Sequence, residues 1–243
     1  MTGLSLTSTM TIAKNPPPQE ETAALRPSEY TAALIHALRA RPDLARGATA
    51  LEIGSGSGVV LAALGELGAA SLCGVDIESS AVAAGAVLLH TAGYGDKIEM
   101  LRGDMWRPLA GRRFDLIVAN LPQFPMEPLG YGGRLPSWSA GGPDGRWLVD
   151  RFLVGLADHL SPGGNAVMTH NAFIDIERSR LILQDYGLAL RVATTVMVCF
   201  PPEKLALLSD NILLAERGRS IQCYGPYAFG EMCVVEISAR SES

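Results

Sequence analysis

Three glycines at alternate positions stand in the run Leu51-Glu52-Ile53-Gly54-Ser55-Gly56-Ser57-Gly58, between an apolar segment and a helical one. Glycines so spaced let the backbone turn sharply and pass close to a ligand with no Cβ in the way. A pyrophosphate-binding fingerprint needs G-x-G-x-x-G. Here the third glycine, Gly58, comes one residue early and Val59 takes the place the fingerprint requires, which disfavours a dinucleotide. Asp76, closing the next apolar run and followed by Ile77, supplies a carboxylate able to hold the two hydroxyls of a ribose. Asn120-Leu121-Pro122-Gln123 follows the apolar run FDLIVA, and in an open sheet such a strand end borders the ligand crevice. His170 ends a later apolar run. An unperturbed imidazole titrates near neutrality, so His170 could serve a hydroxyl acceptor as general base; the blander alternative is a polar loop residue.

The elements that must position these residues alternate along the chain. Strands are expected at 48–53, 71–77, 98–103, 114–119, 165–169, 188–198 and 231–238, and helices at 28–41, 59–67, 79–91, 145–160 and 175–186. Leu148, Phe152, Leu156 and Leu160 recur every fourth residue, and Pro162-Gly163-Gly164 then interrupts the chain. The FDLIVA run suits a strand buried on both faces. Alternation of this kind needs right-handed crossovers and a parallel sheet covered on both sides. The expected fold is α/β: a doubly wound, mostly parallel, seven-stranded Rossmann-like sheet with an N-terminal helical arm. Residues 1–46 form the arm and one helix, and residues 47–243 the main domain.

Glu52-x-Gly54-x-Gly56-x-Gly58 with Asp76 resembles the S-adenosylmethionine (SAM) site of the class I methyltransferases. The resemblance implies that the loop, with Ser55, passes under the methionine part and that the acid binds the ribose. It further implies that Asp104 meets the adenine amino group while Met105 covers the ring, and that Ile77 and Asn120 also line the cofactor. The Asn120 corner resembles the Asn-Pro-Pro-Tyr signature of methyltransferases acting on glutamine side chains and on exocyclic amines. Ala140-Gly141-Gly142-Pro143-Asp144-Gly145, Leu160-Ser161-Pro162-Gly163-Gly164 and Arg26-Pro27-Ser28-Glu29 extend the likeness to the HemK-type protein-glutamine methyltransferases. Methyl transfer is an in-line displacement, and an amide nitrogen is a poor nucleophile. Accepting its N–H groups with the Asn120 side-chain oxygen and the Leu121 carbonyl would aim the nitrogen and offset developing positive charge. The chain departs from the signature at Leu121, which replaces a proline, and at Gln123, which replaces a stacking aromatic. Asn120 as a plain structural turn stays open as an alternative.

Composition narrows the function classes. The chain has 243 residues, 48% of them hydrophobic and 19% charged, so a core is available and wholesale disorder is excluded. The net charge of −5 argues against a broad grip on nucleic acid. Four scattered cysteines make neither a disulfide framework nor a zinc site, and no metal is implied. No signal peptide or membrane span is read, which points to a cytoplasmic protein. Only 46 residues precede the main domain, so a small-molecule acceptor is favoured, with a protein amide second and a homodimer left open. Alternatives are O- or C-methylation with His170 as base, methylation of nucleic-acid bases, or SAM binding without catalysis. The loop Gly130–Trp138 reads as a lid over the acceptor or a plain surface loop, and the segment Cys223–Gly230 as a second wall or a contact with another subunit.

Overall fold

A computed structural model describes residues 27–126 and 139–240. The arm ahead of Pro27 and the Gly130–Trp138 loop lie outside the described residues.

The elements run α1 (Glu29–Ala40), α2 (Pro42–Ala45), β1 (Thr49–Ile53), α3 (Val59–Glu66), β2 (Ser71–Asp76), α4 (Ser79–Thr91), β3 (Ile98–Arg102), β4 (Phe114–Ala119), α5 (Trp147–His159) and β5 (Leu160–Asn171). There follow α6 (Ile176–Asp185), β6 (Leu188–Phe200), α7 (Pro202–Leu205), α8 (Asp210–Glu216), β7 (Ile221–Tyr224) and β8 (Tyr227–Ala239). One sheet has the order β3-β2-β1-β4-β5-β8-β6, with β7 paired to β8. The pairings from β3 to β5 are parallel, and those of β8 with β5, β6 and β7 are antiparallel. The order reverses at β1, where the chain leaves toward β2 on one side and β4 lies on the other. A crevice therefore opens above the carboxyl ends of these strands.

Successive residues of a strand face opposite sides of the sheet. Ala50, Leu116, Val118 and Val167 pack with Leu34 and Leu38 of α1 and Val60, Leu61 and Leu64 of α3. Leu51, Ile53, Ile117, Ala119, Ala166 and Met168 pack with Val149, Phe152 and Leu156 of α5 and Leu183 of α6. This two-sided burial makes residues 116–119 of β4 an uninterrupted apolar run.

The doubly wound, mostly parallel sheet agrees with the sequence reading; the strand count is corrected from seven to eight. Ile221–Tyr224 forms a hairpin with β8, whose Tyr224 and Tyr227 pair across the two-residue turn Gly225-Pro226. Gly225 at φ +60° supplies the left-handed residue that such a turn requires. β5 is also longer than expected. Phe114 pairs with Leu160 and Leu116 with Asn165, so the Pro-Gly-Gly break is absorbed as an irregularity within the strand.

Candidate functional site

The glycine loop leaves β1 beneath the crevice and enters α3. Gly54, Gly56 and Gly58 have φ of +71°, +49° and +75°, a region that side-chain-bearing residues seldom adopt. A Cβ on Gly58 would sit 3.0 Å from Gly85 Cα of α4, backbone that cannot swing aside; a Cβ on Gly56 would meet nothing within 4 Å. Gly58→Ala is therefore expected to lose about 1–3 kcal/mol of stability in urea unfolding, and Gly56→Ala about 1 kcal/mol from backbone strain alone. Equal losses would show that the contact with α4 has no weight.

The loop's polar groups leave room for a ligand. Asp76 accepts the Gly56 N–H on Oδ2 and the Glu78 N–H on Oδ1, both at 2.9 Å. A carboxylate offers about four acceptor directions, so two stay open to a pair of hydroxyls. Glu52, only 2% exposed, has an Oε2 with no hydrogen-bond partner, as does the buried Ser55 Oγ beside it in the loop. Burial, and after it the Asp76 charge, holds the Glu52 carboxyl well above the usual carboxylate range, partly offset by the Leu61 N–H. A ligand carrying positive charge would answer both the orphaned oxygens and this buried acid. These residues fit S-adenosylmethionine, whose sulfonium and ammonium groups are cationic.

Further along the strand ends, Asp104 Oδ2 accepts from Arg151 Nη2 at 2.8 Å. Met105 is buried with φ +51°, strain of the kind that collects at binding sites. Ile77 projects into solvent, 64% exposed.

Asn120 follows β4 on the face covered by α1. Its Oδ1 accepts the Thr169 hydroxyl at 2.8 Å and its Nδ2 donates to Thr31 Oγ1 at 3.3 Å. Leu121 lies near the glycine loop: a Cβ on Gly54 would lie 3.3 Å from Leu121 Cδ2. Beneath Pro122, Gln123 is 3% exposed and turned into the sheet, where it bonds Leu121 O, Thr169 and Asn171. It offers no surface on which a planar group could stack, so it does not stand in for an aromatic. The Ala140–Gly145 run clamps the same corner through Gly141 N–H to Phe124 O at 2.8 Å and Met126 N–H to Gly142 O at 2.9 Å.

His170 is a correction. Strand alternation sends Thr169 and Asn171 toward α1, and His170 to the opposite face beneath α5 and α6, fully buried. There its ring lies 2.8 Å from Ser179 Oγ and 3.4 Å from Arg146 Nη1. Burial, reinforced by the Arg146 guanidinium, lowers its pKa to about 4. It neither faces the crevice nor suits a base near neutrality.

Sequence reasoning missed Tyr30, Thr31, Thr169, Asn171 and Lys204. The Tyr30 hydroxyl donates to Asn171 Oδ1 at 2.8 Å, and burial raises its pKa well above the ordinary value. The Lys204 ammonium lies 4.7 Å from the centre of the Phe124 ring, and burial lowers its pKa. Parity with Asn120 on the sheet face could have pointed to Thr169 and Asn171. Nothing local announces Tyr30, which lies 141 residues from its partner. A recess of about 430 Å³ at the start of α5, lined by Asp144, Arg146, Trp147, Asp150 and Arg178, contains none of the glycine-loop residues.

Comparison with known proteins places the chain. Residues 29–127 match the family model described as ribosomal protein L11 methyltransferase. The chain is 31% identical over 148 residues to a release factor glutamine methyltransferase of Moorella thermoacetica, covering 58% of this chain and 52% of that protein. It is 37% identical over 148 residues to the human methyltransferase HEMK2, covering 57% of this chain and 67% of that protein. The chain thus spans about half the length of the Moorella relative. Its fold matches that of the E. cuniculi Mtq2–Trm112 complex, responsible for methylation of the termination factor eRF1, with TM-score 0.55 and 16% identity over 89% of this chain and 98% of that one.

The chain belongs to the HemK-type family of class I SAM-dependent methyltransferases. The relatives and the family model are named as methyltransferases, and the glycine-loop residues fit S-adenosylmethionine as the donor. The preference for a small-molecule acceptor is overturned: the Moorella relative is named for glutamine in a protein. A short N-terminal extension had argued for a compact pocket, but that length does not decide the acceptor. Among the described residues no helix is long and apolar enough to cross a membrane.

Proposed function

We propose that this protein methylates the side-chain amide nitrogen of glutamine in a protein of the translation machinery. The observation that carries the reading is the closeness of the two halves of the site: a Cβ on Gly54 of the glycine loop would lie 3.3 Å from Cδ2 of Leu121, next to Asn120. A nitrogen held at Asn120 would then lie beside the bound cofactor, as in-line transfer demands.

S-adenosylmethionine supplies an electrophilic methyl group on a sulfonium. Glu52, Gly54, Ser55, Gly56 and Gly58 cradle its methionine part; Asp76, flanked by Ile77, holds the ribose; Asp104, with the oxygen not used by Arg151, and Met105 serve the adenine. Asn120 Oδ1 accepts an N–H of the glutamine amide through the lone pair that Thr169 leaves free, and the Leu121 carbonyl accepts another. Pro122 fixes the backbone of the corner. The buried Gln123 supports it from below, and His170 takes no part. Residues 47–243 are the catalytic domain, to which α1 contributes Tyr30 and Thr31. An acceptor in the translation machinery places the reaction in the cytoplasm.

Calorimetry with SAM is expected to give one site in the wild type and a loss of at least about tenfold in affinity in Asp76→Ala. Incubation with methyl-labelled SAM and a purified release factor, followed by peptide mass spectrometry, is expected to place the label on a glutamine. Label on lysine, on a hydroxyl residue or on RNA would replace the acceptor reading. Undiminished affinity in Asp76→Ala would remove the ribose site.

A further inference from the structure

The side chains around Asn120 form a hydrogen-bond chain whose direction is readable from one end. A backbone N–H can only donate, and that of Asn171 donates to Gln123 Oε1 at 2.6 Å. The other end of that carboxamide, Nε2, is also donor-only. Its two N–H groups face Thr169 O at 3.0 Å, Thr169 Oγ1 at 3.2 Å and Leu121 O at 3.3 Å. A hydroxyl that receives an N–H has its own proton to give, and Thr169 gives it to Asn120 Oδ1 at 2.8 Å. Asn120 is left with Nδ2 turned toward Thr31 Oγ1. Gln123 and Thr169 are both buried, so water does not compete for these bonds.

We propose that Gln123 and Thr169 are positioning residues that hold the Asn120 carboxamide in one of its two orientations, with Oδ1 as the acceptor for the substrate amide. The inference rests on the role given to Asn120 above. The two ends of an asparagine amide are nearly the same shape and opposite in polarity. A flip would present N–H to N–H, replacing attraction by repulsion at the reacting nitrogen. The relay also accounts for the residue at 123. An aromatic side chain there could not pass direction from the Asn171 N–H to Thr169, whereas a carboxamide accepts at one end and donates at the other.

Gln123→Glu tests the direction of the relay. The introduced carboxylate still accepts from Asn171 but cannot donate to Thr169. It draws the Thr169 proton toward itself and leaves Thr169 Oγ1 to accept from Asn120 Nδ2. With a purified release factor as acceptor at pH 8, kcat is expected to fall about tenfold or more, while SAM affinity by calorimetry stays within about threefold. The rate should recover as pH falls and the carboxyl regains a proton to donate, an acid-side rise that the wild type lacks. Thr169→Val should show a similar loss without that pH dependence, and Thr169→Ser, which keeps the hydroxyl, should restore most of the rate.

Wild-type kcat in folded Gln123→Glu or Thr169→Val, or a loss in Thr169→Ser equal to that in Thr169→Val, overturns the relay. The Asn120 side-chain amide resonances, read by NMR with no acceptor present, test it apart from catalysis. They should move in Thr169→Val, and unmoved resonances overturn it. An Asn120→Ala enzyme with full activity removes instead the reading on which the relay rests. An inactive Asn120→Ala beside a fully active Thr169→Val removes the relay alone.

Discussion

Asn120→Ala is expected to lower kcat on a release factor by about 100- to 1,000-fold while leaving the SAM dissociation constant within about threefold. An amide nitrogen gains positive character as it takes up a methyl group, and the acceptor oxygen matters most at that stage. Removing one preorganised hydrogen-bonding group aimed at developing charge costs about 3–4 kcal/mol in comparable sites. In the proposed reading the loss falls on kcat, because Asn120 takes the acceptor while the glycine loop, Asp76 and Asp104 take the cofactor. The fold should tolerate the change, since Asn120 is only part-buried and its partners Thr31 and Thr169 keep their other bonds. Single-turnover transfer from labelled SAM, with calorimetry on the same preparation, separates the two quantities. A loss confined to SAM affinity would move Asn120 into the cofactor site; no loss in either would leave it a structural turn.

The elements were largely legible in the sequence, because burial on two faces writes itself into strand composition. FDLIVA needs no context to be read as a central strand, and the alternate glycines mark the loop that follows β1. What escaped was set by contacts between distant segments. The Ile221–Tyr224 strand is short and acquires its partner only through the Gly225-Pro226 turn. Gln123 looked like a lost aromatic because position alone says nothing of direction; its bonds to Thr169 and Asn171 come from a strand 46 and 48 residues away. His170 was misplaced for a simpler reason. Counting from Met168, which packs on the α5 side, alternation already sends it to the wrong face for chemistry.

That buried histidine makes stability depend on pH, with a sign fixed by its neighbours. The Asn171 carbonyl can only accept, so His170 Nδ1, 2.8 Å away, carries the ring proton. Nε2 is then an acceptor for the Ser179 hydroxyl, which itself receives Arg146 Nη1–H at 2.9 Å. Arg146 is buried too, donating to Asp150 and to the carbonyls of Ile174 and Asp175. A second proton on His170 would lose the Ser179 bond and set a buried cation beside a guanidinium. The folded-state pKa of about 4 therefore lies below the ordinary 6.5. Between these values the unfolded chain binds the proton and the folded one does not. The stabilisation is complete above pH 6.5 and drains away as pH falls toward 4. Integrated over that window it is about 3 kcal/mol, of which about 2 kcal/mol is lost between pH 7 and pH 5. His170→Gln keeps an acceptor for Ser179 and cannot titrate. Urea unfolding at pH 7 and pH 5 should therefore show the wild type losing about 2 kcal/mol more than the variant. Equal losses in the two would mean that His170 binds its proton as readily folded as unfolded, and a smaller loss in the wild type would mean that it is already protonated in the folded protein.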